Sequence, residues 1–157
     1  MTDEHVRLRR EALTMLLYVC ITLLGALAVT DTGSTRGRVL GIVWGTTVGL
    51  ALVHWVTFTL AARLADPTAN EEGNRRLLGA QLSGAAVVAV VATIAVLLLP
   101  AEHELQGTRY AVAGLVAAAA FGHARDHGSG RVRALVIGLV ALALAVLAAG
   151  LEHALAH

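Results

Sequence analysis

The apolar parts of this sequence contain few side chains able to do chemistry, and those few fall at related depths. His54 stands inside the run Val39–Ala62 (VLGIVWGTTVGLALVHWVTFTLAA), which has no charge. Tyr18 lies in the run before it and Gln81 in the run after it. At about 1.5 Å per helical residue, Tyr18 and His54 each fall roughly 4–5 Å inward of the middle of their helices. Gln81 enters from the same side. Thr47 and Thr57 share the helical face of His54. Together His54, Tyr18, Gln81, Thr47 and Thr57 form a candidate intramembrane polar site. Ionisable groups within a span are costly and usually face a bundle interior or a water path. An unperturbed imidazole exchanges protons near neutral pH, so His54 is the candidate titrating group. The alternative is a structural histidine bonded to a threonine, a tyrosine or a carbonyl. Membrane threonines often bond their own helix, which weakens the threonine stripe as a signal. No Asp, Glu or Arg falls deep in an apolar run to complete a proton relay.

A second group of residues lies near the expected outer face. His103 sits between Glu102 and Glu104, and His153 and His157 stand four apart at the end of the sequence. Imidazoles at that spacing share one helical face and suit a transition metal. The simpler reading is a polar rim, so no metal and no other cofactor is assigned. His123 and His127 repeat the spacing beside Asp126, but Arg125 between them opposes a cation. Walker, Rossmann, H-E-x-x-H and G-x-S-x-G patterns are absent, so an enzyme is not expected. The arginines are spread over several loops and make no groove-reading patch, which argues against a nucleic-acid partner. Anionic lipid is a sufficient partner for them.

The elements that carry these residues follow from hydropathy. Only 15% of the 157 residues are charged and mean hydropathy is +0.71; soluble domains carry about a quarter charged residues. Five apolar runs separated by short polar loops predict an all-α, polytopic membrane helical bundle. It is one integral membrane domain over 1–157, with helices near 12–30, 39–62, 77–99, 109–124 and 132–151. The second run is the longest and is read as the central helix. Residues 1–11 precede the first run as a polar segment, and Ala26 and Ala28 supply a signal-like A-x-A pattern. The length of that run and the spans after it favour an uncleaved helix. Asp66–Pro67 and Gly73–Asn74 read as helix stops and turn formers.

The fourth run is short enough to be re-entrant. Arginine placement favours a crossing. With five spans and an N-in, C-out topology, Arg7, Arg9, Arg10, Arg63, Arg75, Arg76, Arg125, Arg131 and Arg133 lie inside. Only Arg36, Arg38 and Arg109 then lie outside; without the fourth crossing the two sides are equal. Arg109 and His123 would extend the short helix by reaching outward. The Arg-only basic set and the abundance of Ala, Val, Leu and Gly suggest a bacterial coding bias, hence the bacterial cytoplasmic membrane.

Gly41, Gly45 and Gly49 form a ladder at spacing four on the second helix, a smooth strip where another backbone can approach. Packing inside one bundle is the first expectation for it, packing between subunits the second. The leading functional reading is a non-enzymatic helix-packing module, either a homo-oligomer or a subunit of a membrane complex. The alternative is a small proton-coupled transporter or channel with His54 as its titrating residue.

Overall fold

A computed structural model describes residues 3–31, 33–65 and 71–155, with the side chains at 62, 63, 65, 71 and 148–155 outside the description. Five helices follow one another: α1 (Asp3–Ala28), α2 (Arg36–Ala65), α3 (Glu71–Leu98), α4 (Glu104–Asp126) and α5 (Arg131–Leu155). Three of them are long and apolar enough to cross a membrane, over Asp3–Ala28, Arg36–Ala61 and Glu72–Leu98. α4 has 23 residues, enough for about 34 Å, so its length does not require a re-entrant path. Its low hydropathy comes from both ends, Glu104, Gln106 and Arg109 at the start and His123, Arg125 and Asp126 at the finish, and Glu104 and Thr108 are buried in the bundle.

The helices start earlier than the apolar runs. α1 includes residues 3–11, which places Glu11 on a helix face. Gly73 and Asn74 do not form a turn; they lie in the first turns of α3. Acidic Glu72 suits the positive end of that helix dipole, and Arg76 reaches back to it at 2.7 Å and across to Glu4 at 2.9 Å. The Asp66–Pro67 pair lies outside the described residues.

Ion pairs identify which helix ends meet. Glu4–Arg76 joins the starts of α1 and α3, and Arg9–Asp126 brings in the end of α4. This basic end carries Arg7, Arg9, Arg10, Arg75, Arg76, Arg125, Arg131 and Arg133. At the distal end, Arg36 of α2 pairs with Glu104 of α4 and donates to the Leu99 carbonyl at 3.0 Å. Successive helices therefore run in alternate directions.

The centre is α1, not α2. α1 packs against each of the other four helices, while α2 and α5 make no contact with each other among the described residues. The ring around α1 is thus open between α2 and α5, and Thr14 and Tyr18 lie exposed. The core sits mainly in the distal half: Val19, Cys20, Leu23 and Leu27 of α1 are fully buried against Val39 and Val43, Val88 and Val96, and Val112. In the basic half α2 covers α1 less closely, with Leu50, Ala51, His54 and Phe58 only half-buried.

One glycine fixes the closest crossing. A Cβ on Gly84 would stand 2.2 Å from the carbonyl oxygen of Ala12, so α3 approaches α1 as only glycine permits. By contrast, a Cβ on Gly41, Gly45 or Gly49 meets nothing within 4 Å, and all three are exposed. Within this chain the ladder packs against nothing described. Gly84→Ala is expected to lower stability by about 1–3 kcal/mol through overpacking, whereas Gly45→Ala leaves it unchanged or raises it slightly. Denaturation in detergent, followed by circular dichroism, separates the two; equal effects would contradict this assignment of the crossing.

Candidate functional site: a polar cleft between α1, α2 and α3

The gap in the basic half holds a cavity of about 270 Å³ lined by Glu11, Thr14, Met15, Tyr18, His54 and Gln81. Its position follows from helix register. Glu11, Thr14, Met15 and Tyr18 recur at spacings of three and four on one side of α1. Gln81 lies one turn before Gly84 on α3, where the two backbones come together. His54 lies on the part of α2 that is only half-buried.

The hydrogen bonds divide these side chains into satisfied and unsatisfied groups. Gln81, 5% exposed, donates from Nε2 to Glu11 Oε2 at 2.9 Å. An ionised carboxylate only accepts, so this bond fixes which end of the amide faces it. Gln81 Oε1 is left buried without a partner, as is His54 Nε2. Thr14 Oγ1 is occupied, donating to the Arg10 carbonyl at 2.9 Å. Arg10 stands 3.7 Å from the other oxygen of Glu11, with its own side chain largely exposed. His54 stacks on Phe58 with centroids 6.5 Å apart. A buried polar atom with no partner is costly; Gln81 Oε1 is such an acceptor, and His54 Nε2 accepts or donates according to its tautomer.

The structure thus places His54, Tyr18 and Gln81 in the walls of one cleft. Thr47 and Thr57 are not among its lining residues. Thr47 is buried and donates to the Val43 carbonyl at 2.6 Å; Thr57 is exposed and donates to the Val53 carbonyl at 2.7 Å. Both hydroxyls are spent on their own helix. Glu11 is the residue that sequence reasoning missed. It precedes the apolar run by one residue, and only the extension of α1 to Asp3 brings it to the cleft.

The histidine groups at the two ends are arranged differently. His103 is exposed, 3.7 Å from Glu102, but Glu104 is 1% exposed and engaged with Arg36 rather than with His103. The side chains of His153 and His157 lie outside the described residues. His123 and His127 approach with ring centroids 4.3 Å apart, and Asp126 is drawn to Arg9. Among the described residues no three His, Cys, Asp or Glu side chains converge as a metal site would require. A larger crease of about 490 Å³ at the basic end is lined by Glu4, Arg7, Glu72 and Arg76. Its Arg76 already pairs with Glu4 and Glu72.

Among known proteins, no family model, no curated protein and no solved structure matches this chain. The side chains themselves therefore carry the functional reading.

Proposed function

We propose that this is a multi-pass protein of a bacterial cytoplasmic membrane with five spans, its basic end inside. We propose further that it moves protons or a small protonated solute through the cleft, with His54 as the titrating group. The observation that carries this reading is the meeting of His54, Glu11 and Gln81 in one cavity, two of them with buried polar atoms unpartnered. The crowding of arginine at the basic end supports the orientation. Exposed apolar side chains such as Val53, Val56, Leu64, Leu98 and Leu144 support immersion in lipid, since soluble proteins seldom expose such surface contiguously. His54 is faced by Glu11 and Tyr18 from α1 and by Gln81 from α3, with Arg10 beside Glu11. Glu11 supplies the carboxylate that a proton path through His54 needs. Toward the distal end the packed core of Val19, Cys20, Leu23 and Val43 closes the bundle, so passage requires α2 to move against α1.

In proteoliposomes carrying an internal pH dye, the wild-type protein is expected to show proton flux. His54→Leu and Glu11→Gln are each expected to abolish it. The leucine variant should keep its melting temperature, because replacing an unpartnered buried polar atom by apolar volume costs little. Absence of wild-type flux, or full flux in His54→Leu, would refute the proposal.

A second reading is favoured by the exposed glycine strip. We propose that Gly41, Gly45 and Gly49 receive a second copy of the chain or another membrane helix, since a smooth small-residue face lets helices approach in lipid. Gly45→Leu is then expected to shift the detergent-solubilised protein to lower mass in light scattering. The same mass for wild type and variant would rule the interface out.

A further inference from the structure

We infer that the ligand of the cleft is an ammonium group bearing N–H donors, on a free amine or on an aminolipid head group. The inference rests on the cleft being a solute site and specifies the chemistry of what enters it. Three residues that line the cavity carry acceptors: Glu11 its carboxylate, Gln81 the unpartnered Oε1 and, in the tautomer protonated at Nδ1, His54 the unpartnered Nε2. Gln81 gives one amide N–H to Glu11 and Thr14 gives its hydroxyl proton to the Arg10 carbonyl, which leaves the second Gln81 N–H and the Tyr18 hydroxyl as neutral donors. The one charged side chain among the lining residues is the Glu11 carboxylate, and beside it Gln81 Oε1 has no donor. That pattern repels a carboxylate or phosphate and matches a group with several N–H donors and a positive charge.

Other occupants fit less well. A divalent cation wants more oxygen or imidazole ligands than one carboxylate, one amide and one ring provide, and no three His, Cys, Asp or Glu side chains converge among the described residues. Water alone would satisfy the acceptors but leave the charge of Glu11 balanced only by Arg10, 3.7 Å away and 73% exposed. At about 270 Å³ the cavity lies just under the usual range for organic ligands, roughly 300–1,000 Å³, so the ligand is small. Met15 and Tyr18 give an alkyl chain an apolar wall beside the polar acceptors. Thr14 and Tyr18 are exposed, so this wall of the cleft is open to the surroundings.

The test is calorimetric titration of the full-length, detergent-solubilised protein with three probes of similar size. n-Butylammonium has charge and N–H donors, n-butanol lacks the charge, and tetramethylammonium lacks the donors. Saturable heat from n-butylammonium alone is expected, with binding weakened at least about tenfold by Glu11→Gln and by Gln81→Leu. Equal binding of n-butanol or tetramethylammonium would overturn the inference, as would unchanged n-butylammonium affinity in both variants. Because the probe series is read on the wild type, a variant that fails to fold does not protect the inference. Micelles doped with phosphatidylethanolamine or phosphatidylcholine separate the two sources. Competition by phosphatidylethanolamine alone assigns the ammonium to a lipid head group, and no competition by either assigns it to a free amine. Competition by phosphatidylcholine, which has no N–H, would count against the inference. n-Butylammonium binding without flux would remove only the transport reading, and proton flux without n-butylammonium binding would remove only this one.

Discussion

The distal end of the bundle is held by two arginines of unlike task, and the rest of the architecture depends on them. The last turn of any helix leaves carbonyls without intrahelical partners. At the end of α1 those carbonyls lie inside the bundle, where a bilayer would supply no water to bond them. Arg109 of α4 answers that need by donating to the carbonyls of Leu27, Ala28 and Thr30. Arg36 of α2 then pairs with Glu104, a carboxylate 1% exposed, and ties α2 to the same turn of α4. Glu104 is buried although Arg36 is 45% exposed, so losing Arg36 leaves a buried carboxylate without its partner, which is more damaging than losing a member of an exposed pair. At the basic end the ties are Arg76–Glu4 and Arg9–Asp126, all half-exposed, the kind of pair that contributes little. The bundle is therefore fastened at one end and loosely laced at the other.

That asymmetry accounts for where the cleft lies. Along α1, Val19 to Leu27 is almost wholly enclosed, while Thr14 and Tyr18 remain exposed. α2 follows the same gradient, from buried Val39, Val43 and Thr47 to half-buried His54 and Phe58. The Gly84 crossing keeps α3 tight on α1 at the level of Ala12, so the opening develops on the α2 side. Polar side chains tolerate that position because the loosely packed half gives access to something that can bond them. In the proposed role, passage beyond the cleft requires the distal contacts of α2, at Val39 and Val43, to part from α1.

Much of this was legible in the sequence, and the gaps have physical causes. Hydropathy found every helix, and depth counting put Tyr18, His54 and Gln81 within reach of one another. Hydropathy also set the start of α1 too late, because residues 3–11 are polar yet helical, and that hid Glu11. The glycine ladder was the most visible small-residue pattern, but a ladder states only that a face is smooth, not which neighbour it meets. The glycine that a neighbouring backbone presses on, Gly84, stands in a less regular pattern. Arg109 was expected to reach outward to lengthen a short helix; it reaches instead to the carbonyls of α1, a need that exists only once α1 is central. The longest apolar run suggested α2 as the centre, whereas lipid-facing helices are the ones that can afford to be apolar on every side.

The distal ties hold that half of the bundle closed, with the cleft in the opposite, basic half. Cys20, the sole cysteine of the chain and fully buried one half-turn beyond Tyr18, reports on that boundary. Buried thiols are inert, and reaction requires access to the thiolate. The measurement is the labelling rate of Cys20 by a small maleimide in proteoliposomes, for wild type and for Arg109→Ala. The account predicts negligible labelling in wild type and rapid labelling once Arg109 is gone. Rapid labelling of the wild type, or a variant as resistant as the wild type, would contradict it.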